Sequence, residues 1–205
     1  MEPPLSSRAD SLTRRRRSTA PAEILKATQA LLLEGGIDRV SIRRVSERCG
    51  YSAPTIYHHF GDKKGLIDAL LEERFRAVHE LMAAIPRGSD PAVYLREMAR
   101  AFVRFALENP SHYQLLMAPG LANIAAVPSA EAARALVKTA LEELAEQGTL
   151  ATPDLEAAFQ VLWAVLHGVI SLYLAAPEYE VSADLDELAF DLIENGLLRQ
   201  QAAPG

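Results

Sequence analysis

The chain has a single cysteine, Cys49, in 205 residues, which excludes an internal disulfide and suits a reducing compartment. Aromatic residues make up only 6% of it, and runs of β-branched residues are rare. Both shortages argue against a sheet protein, whereas abundant Ala and Leu favour helices throughout. The arginines near the N-terminus are followed by no apolar core, so no signal peptide is expected. Nor is a membrane span, because His167 and Gly168 interrupt the best apolar candidate, Phe159 to Ala176. Catalytic chemistry is missing as well: there is no glycine-rich phosphate loop, no nucleophile–base spacing and no cluster of metal ligands. No enzyme, cofactor or metal is expected, and the compartment implied is the cytoplasm.

What is present is a division of charge. The formal net charge is −6, but residues 1–64 hold 12 Lys and Arg against 7 Asp and Glu, a net of +5. The remainder holds 9 against 20, a net of −11. A basic head on an acidic body fits a DNA-reading domain joined to a regulatory or assembly domain. Helical surfaces that simply vary in charge are the plainer explanation.

Residues 1–18 lack periodicity and end in Arg14-Arg15-Arg16-Arg17, so a disordered basic arm is expected. Four arginines can neutralise phosphates or enter a minor groove; a solvated run that aids solubility is the alternative. Thr19 and Pro21 read as the opening of a helix that Gly35-Gly36 stop. A head of three helices over 19–65 would bury Ile24, Leu31, Val40, Ile42, Val45, Ile56 and Phe60. So small a core is marginal alone and should lean on the next helix, Asp62 to Ile85. Gly65 inside that helix costs about 1 kcal/mol relative to alanine and has no explanation in the sequence beyond a close approach to DNA or a neighbour. Further helices are expected over Ala92–Leu107, Pro110–Met117, Ser129–Gln147, Pro153–Ala175 and Asp184–Gln200, with a loop at 118–128 and a disordered tail at 201–205. The fold class is therefore all-α, about nine helices, in an N-terminal domain and a larger body over 66–200.

The stretch Ser41 to Lys64 is the most informative. Ile42 and Val45 share a helical face, Gly50 sits where a helix must end sharply, and Ser52 can cap the next helix with Pro54 in its first turn. Ile56 and Phe60, four apart, point that second helix back at the first, and Ser46 is small enough for close approach. This is the packing pattern of a helix-turn-helix.

These residues carry a resemblance. From Ile24 to Leu66 the chain resembles the TetR family of transcriptional regulators, most specifically in Ile56-Tyr57-His58-His59-Phe60 followed by Lys63. Leu162 to Gly168, with Trp163, His167 and Gly168, resembles the C-terminal domain of the Trp-His-Gly (WHG) subset. The resemblance implies a homodimer that binds a palindromic double-stranded operator, most often as a repressor released by a small apolar or amphipathic effector. An activator or a ligand-independent regulator of the same fold is the alternative. It also implies roles: Ser41 and Arg43 on phosphates, Ser52, Ala53 and Thr55 at base edges, and Tyr57, His59 and Lys63 on the DNA backbone. Pocket candidates are Phe75, Val78, Met82, Phe102, Phe105, Tyr113, Met117, Trp163 and His167. Bland readings stand beside these. For Tyr57 the alternative is a core aromatic with its hydroxyl at the surface, for His167 a core or dimer-face histidine, and aromatics at helical spacing are usually ordinary core. His58 and His59 with Asp62 do not make a metal site, since adjacent histidines point to different faces.

Overall fold

The computed structural model describes residues 5–118, 126–175 and 180–198, with 5–18 described by backbone alone. The described residues form nine helices and one isolated bridge, between Leu150 and Leu198. Most of the expected 118–128 loop and the whole 201–205 tail lie outside them. The chain divides into two compact units, and the boundary falls between Arg74 and Phe75, inside a continuous helix.

The first unit opens with α1, Leu5–Arg39. The arm expected to be disordered is helical in its backbone from Leu5, and Thr19 lies within the helix rather than capping it. Arginine is a good helix former, so a run of it extends a helix already nucleated by a buried stripe. That stripe is Ile24, Leu25, Ala27, Thr28, Leu31 and Leu32. Gly35 and Gly36 depart from helical geometry and break the helix where the glycines predicted, Gly36 with φ of 69°.

Helices α2 (Ile42–Cys49) and α3 (Ala53–Phe60) follow, and α4 (Lys63–Ala83) ends two residues before the expected Ile85. Ile24, Val40, Val45 and Ile56 are fully buried together with Leu66 and Leu70 of α4 and Leu115. Each such side chain contributes about 1.5–3 kcal/mol by leaving water. Ile42 and Phe60 pack on the rim of this core, half-buried, and so does Cys49. Because Leu66 and Leu70 belong to it, the unit extends past the expected boundary at residue 65.

The second unit contains α5 (Pro91–Glu108), α7 (Pro128–Glu146), α8 (Leu155–Ala175) and α9 (Leu185–Leu197). The short α6 (Pro110–Leu116) crosses into the first unit after Tyr113. Asp90 caps α5 by accepting from Ala92 N–H at 2.9 Å, and Asp154 caps α8 by accepting from Ala157 N–H at 3.0 Å. The second cap moves the start of α8 from the expected Pro153 to Leu155. Leu141, Leu144, Leu150, Ala158, Leu162 and Ile193 form the core shared by α7, α8 and α9.

Helix α8 corrects one expectation. Its 21 residues, with a mean hydropathy of 1.7 over an 18-residue window, are long and apolar enough to cross a membrane by length and composition. His167 and Gly168 dilute the apolar run without lowering the average enough. One side of α8 packs on α5, α7 and α9, while Val161, Trp163, Ala164, Gly168 and Leu172 are exposed.

Candidate functional site

Backbone and side-chain caps build the α2–α3 corner. Ser41, with extended φ and ψ of −142° and 150°, accepts from Arg44 N–H through its hydroxyl oxygen and starts α2. Gly50, at φ 74°, ends it in the left-handed region while its N–H donates to Ser46 O at 2.9 Å. The Ser46 hydroxyl donates to Tyr51 O at 2.6 Å, closing the turn from the other side. Ser52 then caps α3, its oxygen accepting from Thr55 N–H and lying 2.8 Å from the Thr55 hydroxyl. The Tyr51 phenol donates to Glu23 at 2.7 Å, tethering the turn to α1.

With Ile56 fully buried, α3 presents Ser52, Tyr57, His58 and His59 to solvent, with Ala53 and Thr55 half-exposed. Tyr57 is 52% exposed, which removes the core-aromatic reading. Arg43 is exposed and lies 3.6 Å from Glu47 on its own helix. Lys63, expected at the DNA backbone, donates to Ile37 O at 2.8 Å and so also braces the link after α1. An ammonium has three donors, so this bond does not use up the group. Lys64, which sequence reasoning passed over, is exposed and pairs with Asp68.

Gly65 finds its explanation here. Asp62 accepts from Gly65 N–H at 2.8 Å and starts α4, and Asp62 N–H donates to Phe60 O at 2.9 Å. The resulting corner is so tight that a Cβ on Gly65 would stand 2.1 Å from the Phe60 carbonyl oxygen. The close neighbour is backbone of α3, not a flexible side chain.

In the second unit the structure brings four of the expected pocket residues together. Trp163 and His167 of α8 have ring centroids 3.9 Å apart. Tyr113 stacks on His167 at 5.4 Å and Phe102 meets it edge-on at 5.6 Å. Phe105 instead meets His112 edge-on at 4.8 Å. Phe75, Val78 and Met82 are buried along α4, and Met117 falls in the other compact unit. Among the described residues no group of three His, Cys, Asp or Glu side chains is gathered to hold a metal.

Sequence reading missed a charged clasp between α5 and α9. Arg96 donates to Glu187, Asp191 and Glu194, and Arg100 holds Glu187 through two nitrogens, each at 2.7 Å. These hydrogen bonds hold the Glu187 carboxyl at about 2, well below the usual carboxylate range, and raise both guanidinium groups. Arg96 and Arg100 sit four apart and Glu187, Asp191 and Glu194 share a helical face, a spacing visible in the sequence once the two helices are known to meet.

Burial pushes His167 down to about 4 from an ordinary 6.5. Between those values the unfolded chain binds the proton and the folded chain does not, so stability is greatest above about 6.5 and falls as pH drops toward 4. About 2 kcal/mol should disappear between pH 7 and pH 5, read as a lowered urea midpoint. His167→Phe should flatten this window, and an unchanged slope in that variant would contradict the assignment. Glu187 loses its contribution only at lower pH, below the ordinary carboxylate value.

Known proteins share both parts of the chain. Residues 24–70 match the family model described as bacterial regulatory proteins, tetR family, and residues 95–195 match the tetracyclin repressor-like C-terminal domain. The tetracycline repressor protein class A from transposon 1721 of Escherichia coli is 36% identical over 70 residues, 34% of this chain and 32% of that protein. The match thus spans about a third of the curated relative's length. A TetR family regulator from Marinobacter aquaeolei VT8 superposes with a TM-score of 0.78 at 19% identity, over 91% of this chain and all of that one. The FadR regulator of Bacillus subtilis, solved in complex with stearoyl-CoA, gives 0.71 at 15% identity, over 86% of this chain and 98% of that one. With a matching head, a matching body and the fold of its relatives, the chain belongs to the TetR family of bacterial regulatory proteins.

Proposed function

We propose that the chain is a dimeric, cytoplasmic DNA-binding transcriptional regulator, a repressor released from a palindromic operator by a small molecule. The observation that carries the reading is the α2–α3 corner, where a buried Ile56 turns Ser52, Tyr57 and His59 outward from a capped short helix. A helix of this size fits the major groove with its N-terminal residues at base edges. In this reading Ser52, Ala53 and Thr55 meet the bases. Ser41, Arg43, Tyr57, His59 and Lys63 meet phosphates, assisted by the partial positive charge of helix N-termini.

Dimerisation is supported by the bare apolar faces of α8 and α9. Leu188 and Leu192 are exposed one turn apart, Leu192 by 74%, and Val161, Ala164, Gly168 and Leu172 recur on the open side of α8. A monomer leaves such surface in water at a cost, and a two-fold pairing would cover it. Release by a ligand is supported by the stearoyl-CoA held by FadR, a protein of the same fold. The ligand must bind the DNA-incompetent arrangement more tightly, or it shifts nothing.

Selection of bound duplexes from the genomic DNA flanking the gene tests the reading. A palindrome with half-sites about one helical turn apart is expected, and recovery of no preferred duplex would contradict it. On the selected duplex, Tyr57→Phe and Lys63→Ala should weaken binding to all sequences alike, whereas Thr55→Ala should change the preference among them. An unaltered preference in Thr55→Ala would remove that residue from the base contacts.

A further inference from the structure

The imidazole of His167 is boxed by aromatic rings from three helices: Phe102 of α5, Tyr113 of α6 and Trp163 of α8. Its Nδ1 lies 2.8 Å from the Tyr113 hydroxyl. Its Nε2 is buried and, among the described residues, has no hydrogen-bond partner. A histidine serving only as packing pairs both nitrogens or is replaced by an apolar ring at no loss. One left with a buried unpaired nitrogen costs the fold about 1–3 kcal/mol and calls for an explanation.

The neighbours decide which nitrogen carries the proton. The Tyr113 oxygen also takes a hydrogen bond from Ser171, one turn beyond His167, which opposes the rise that burial imposes on the phenol. The phenol oxygen lies 2.8 Å from Nδ1 and 3.4 Å from the His167 carbonyl, and a phenol that donates to Nδ1 leaves the hydrogen of a neutral ring on Nε2. In that arrangement the unpaired group is a donor that lacks an acceptor.

We propose that the Nε2–H of His167 anchors the carbonyl oxygen of an uncharged, flat, conjugated molecule, admitted when the Trp163 indole moves aside and then stacks on it. The acceptor is uncharged because the Tyr113 ring stacked on the imidazole presents a face of negative charge density, which repels a carboxylate. The molecule is flat because the rings of Phe102, Tyr113 and Trp163 flank the imidazole. Trp163 is the side that opens, since it is 41% exposed while Phe102 and Tyr113 are 9% and 5% exposed. The ligand thereby satisfies a donor that the ligand-free fold leaves unpaired. This identification of the ligand class rests on the reading of the chain as an effector-responsive regulator.

Trp163 is the sole tryptophan, so its fluorescence reports on the box directly. The probes are coumarin and indanone, both flat and uncharged with a carbonyl, against naphthalene, which lacks the carbonyl, and naphthoate, which is charged. In the full-length protein, both carbonyl compounds should shift Trp163 emission and bind about tenfold more tightly than naphthalene or naphthoate, the worth of one hydrogen bond in a dry site. His167→Phe should remove that preference while naphthalene binding persists, and NMR of the His167 side chain should show the hydrogen on Nε2 and a shift when coumarin binds. Equal affinities for all four probes, stronger binding of naphthoate, or a hydrogen on Nδ1 would overturn the proposal. Failure there, with the operator still bound and released by some charged compound, leaves the regulator reading intact. Absence of any duplex binding defeats the regulator reading and not the anchor.

Discussion

Gly65→Ala is expected to cost the fold about 1–3 kcal/mol or more and to remove duplex binding with it. The added methyl would stand 2.1 Å from the Phe60 carbonyl oxygen, far inside van der Waals contact. The obstacle is backbone, so relief requires α3 and the start of α4 to separate. That movement would pull Asp62 from Gly65 N–H, Lys63 from Ile37 O, and Leu66 from the core that Ile56 completes. The helix proposed to enter the groove would lose its support from both sides. A matched substitution, Gly88→Ala, places its methyl where nothing lies within 4 Å and should be silent. Thermal melting and duplex titration of the two variants check this. A Gly65→Ala protein that melts and binds like the parent would show that the corner is looser than described.

The second large effect is expected from Leu188→Arg combined with Leu192→Arg. Both side chains are on the open face of α9, so charges there are solvated in a monomer and the helix should still fold. In a two-fold dimer each would be buried against its own kind, and like charges brought together in a dry interface cost several kcal/mol. Sedimentation should therefore show a dimer for the parent and a monomer for the variant, with helical content unchanged. Affinity for a palindromic duplex should fall by orders of magnitude, because one head holds only one half-site. If the variant still sedimented as a dimer, the pairing surface would lie elsewhere.

Much of the fold is legible in local chemistry. Ser41, Gly50 and Ser52 mark the ends of α2 and α3 because caps act within one turn, and the stripe Ile24, Leu31 and Leu32 marks the buried face of α1. The helical continuation back to Leu5 was not legible, since a run of arginines reads as a solvated tail although each is a good helix former. The necessity of Gly65 was hidden for a different reason: it depends on how near Phe60 O returns after the turn, which no residue type announces. Lys63 and Tyr51 found intramolecular partners, Ile37 O and Glu23, that lie far off in sequence.

The aromatic cluster around His167 was legible only as a list of apolar candidates. Phe75, Val78, Met82, Phe105 and Met117 have the same spacing and chemistry as Phe102, Tyr113 and Trp163. Only the meeting of α5, α6 and α8 around His167 separates the two sets. The α5–α9 clasp was equally hidden, because Arg96 and Glu187 read as ordinary surface charge until the helices are placed together.

The salt dependence of duplex binding puts the DNA reading at risk in one experiment. The selected palindrome is titrated with the full-length protein between about 50 and 200 mM salt, the range over which phosphate contacts reveal themselves through counterion release. Six to ten phosphate contacts across the two heads of a dimer predict an affinity that falls by about 10³–10⁵ over that range. An affinity that does not change with salt would contradict a backbone-gripping head, and with it the proposal that this chain acts by holding DNA.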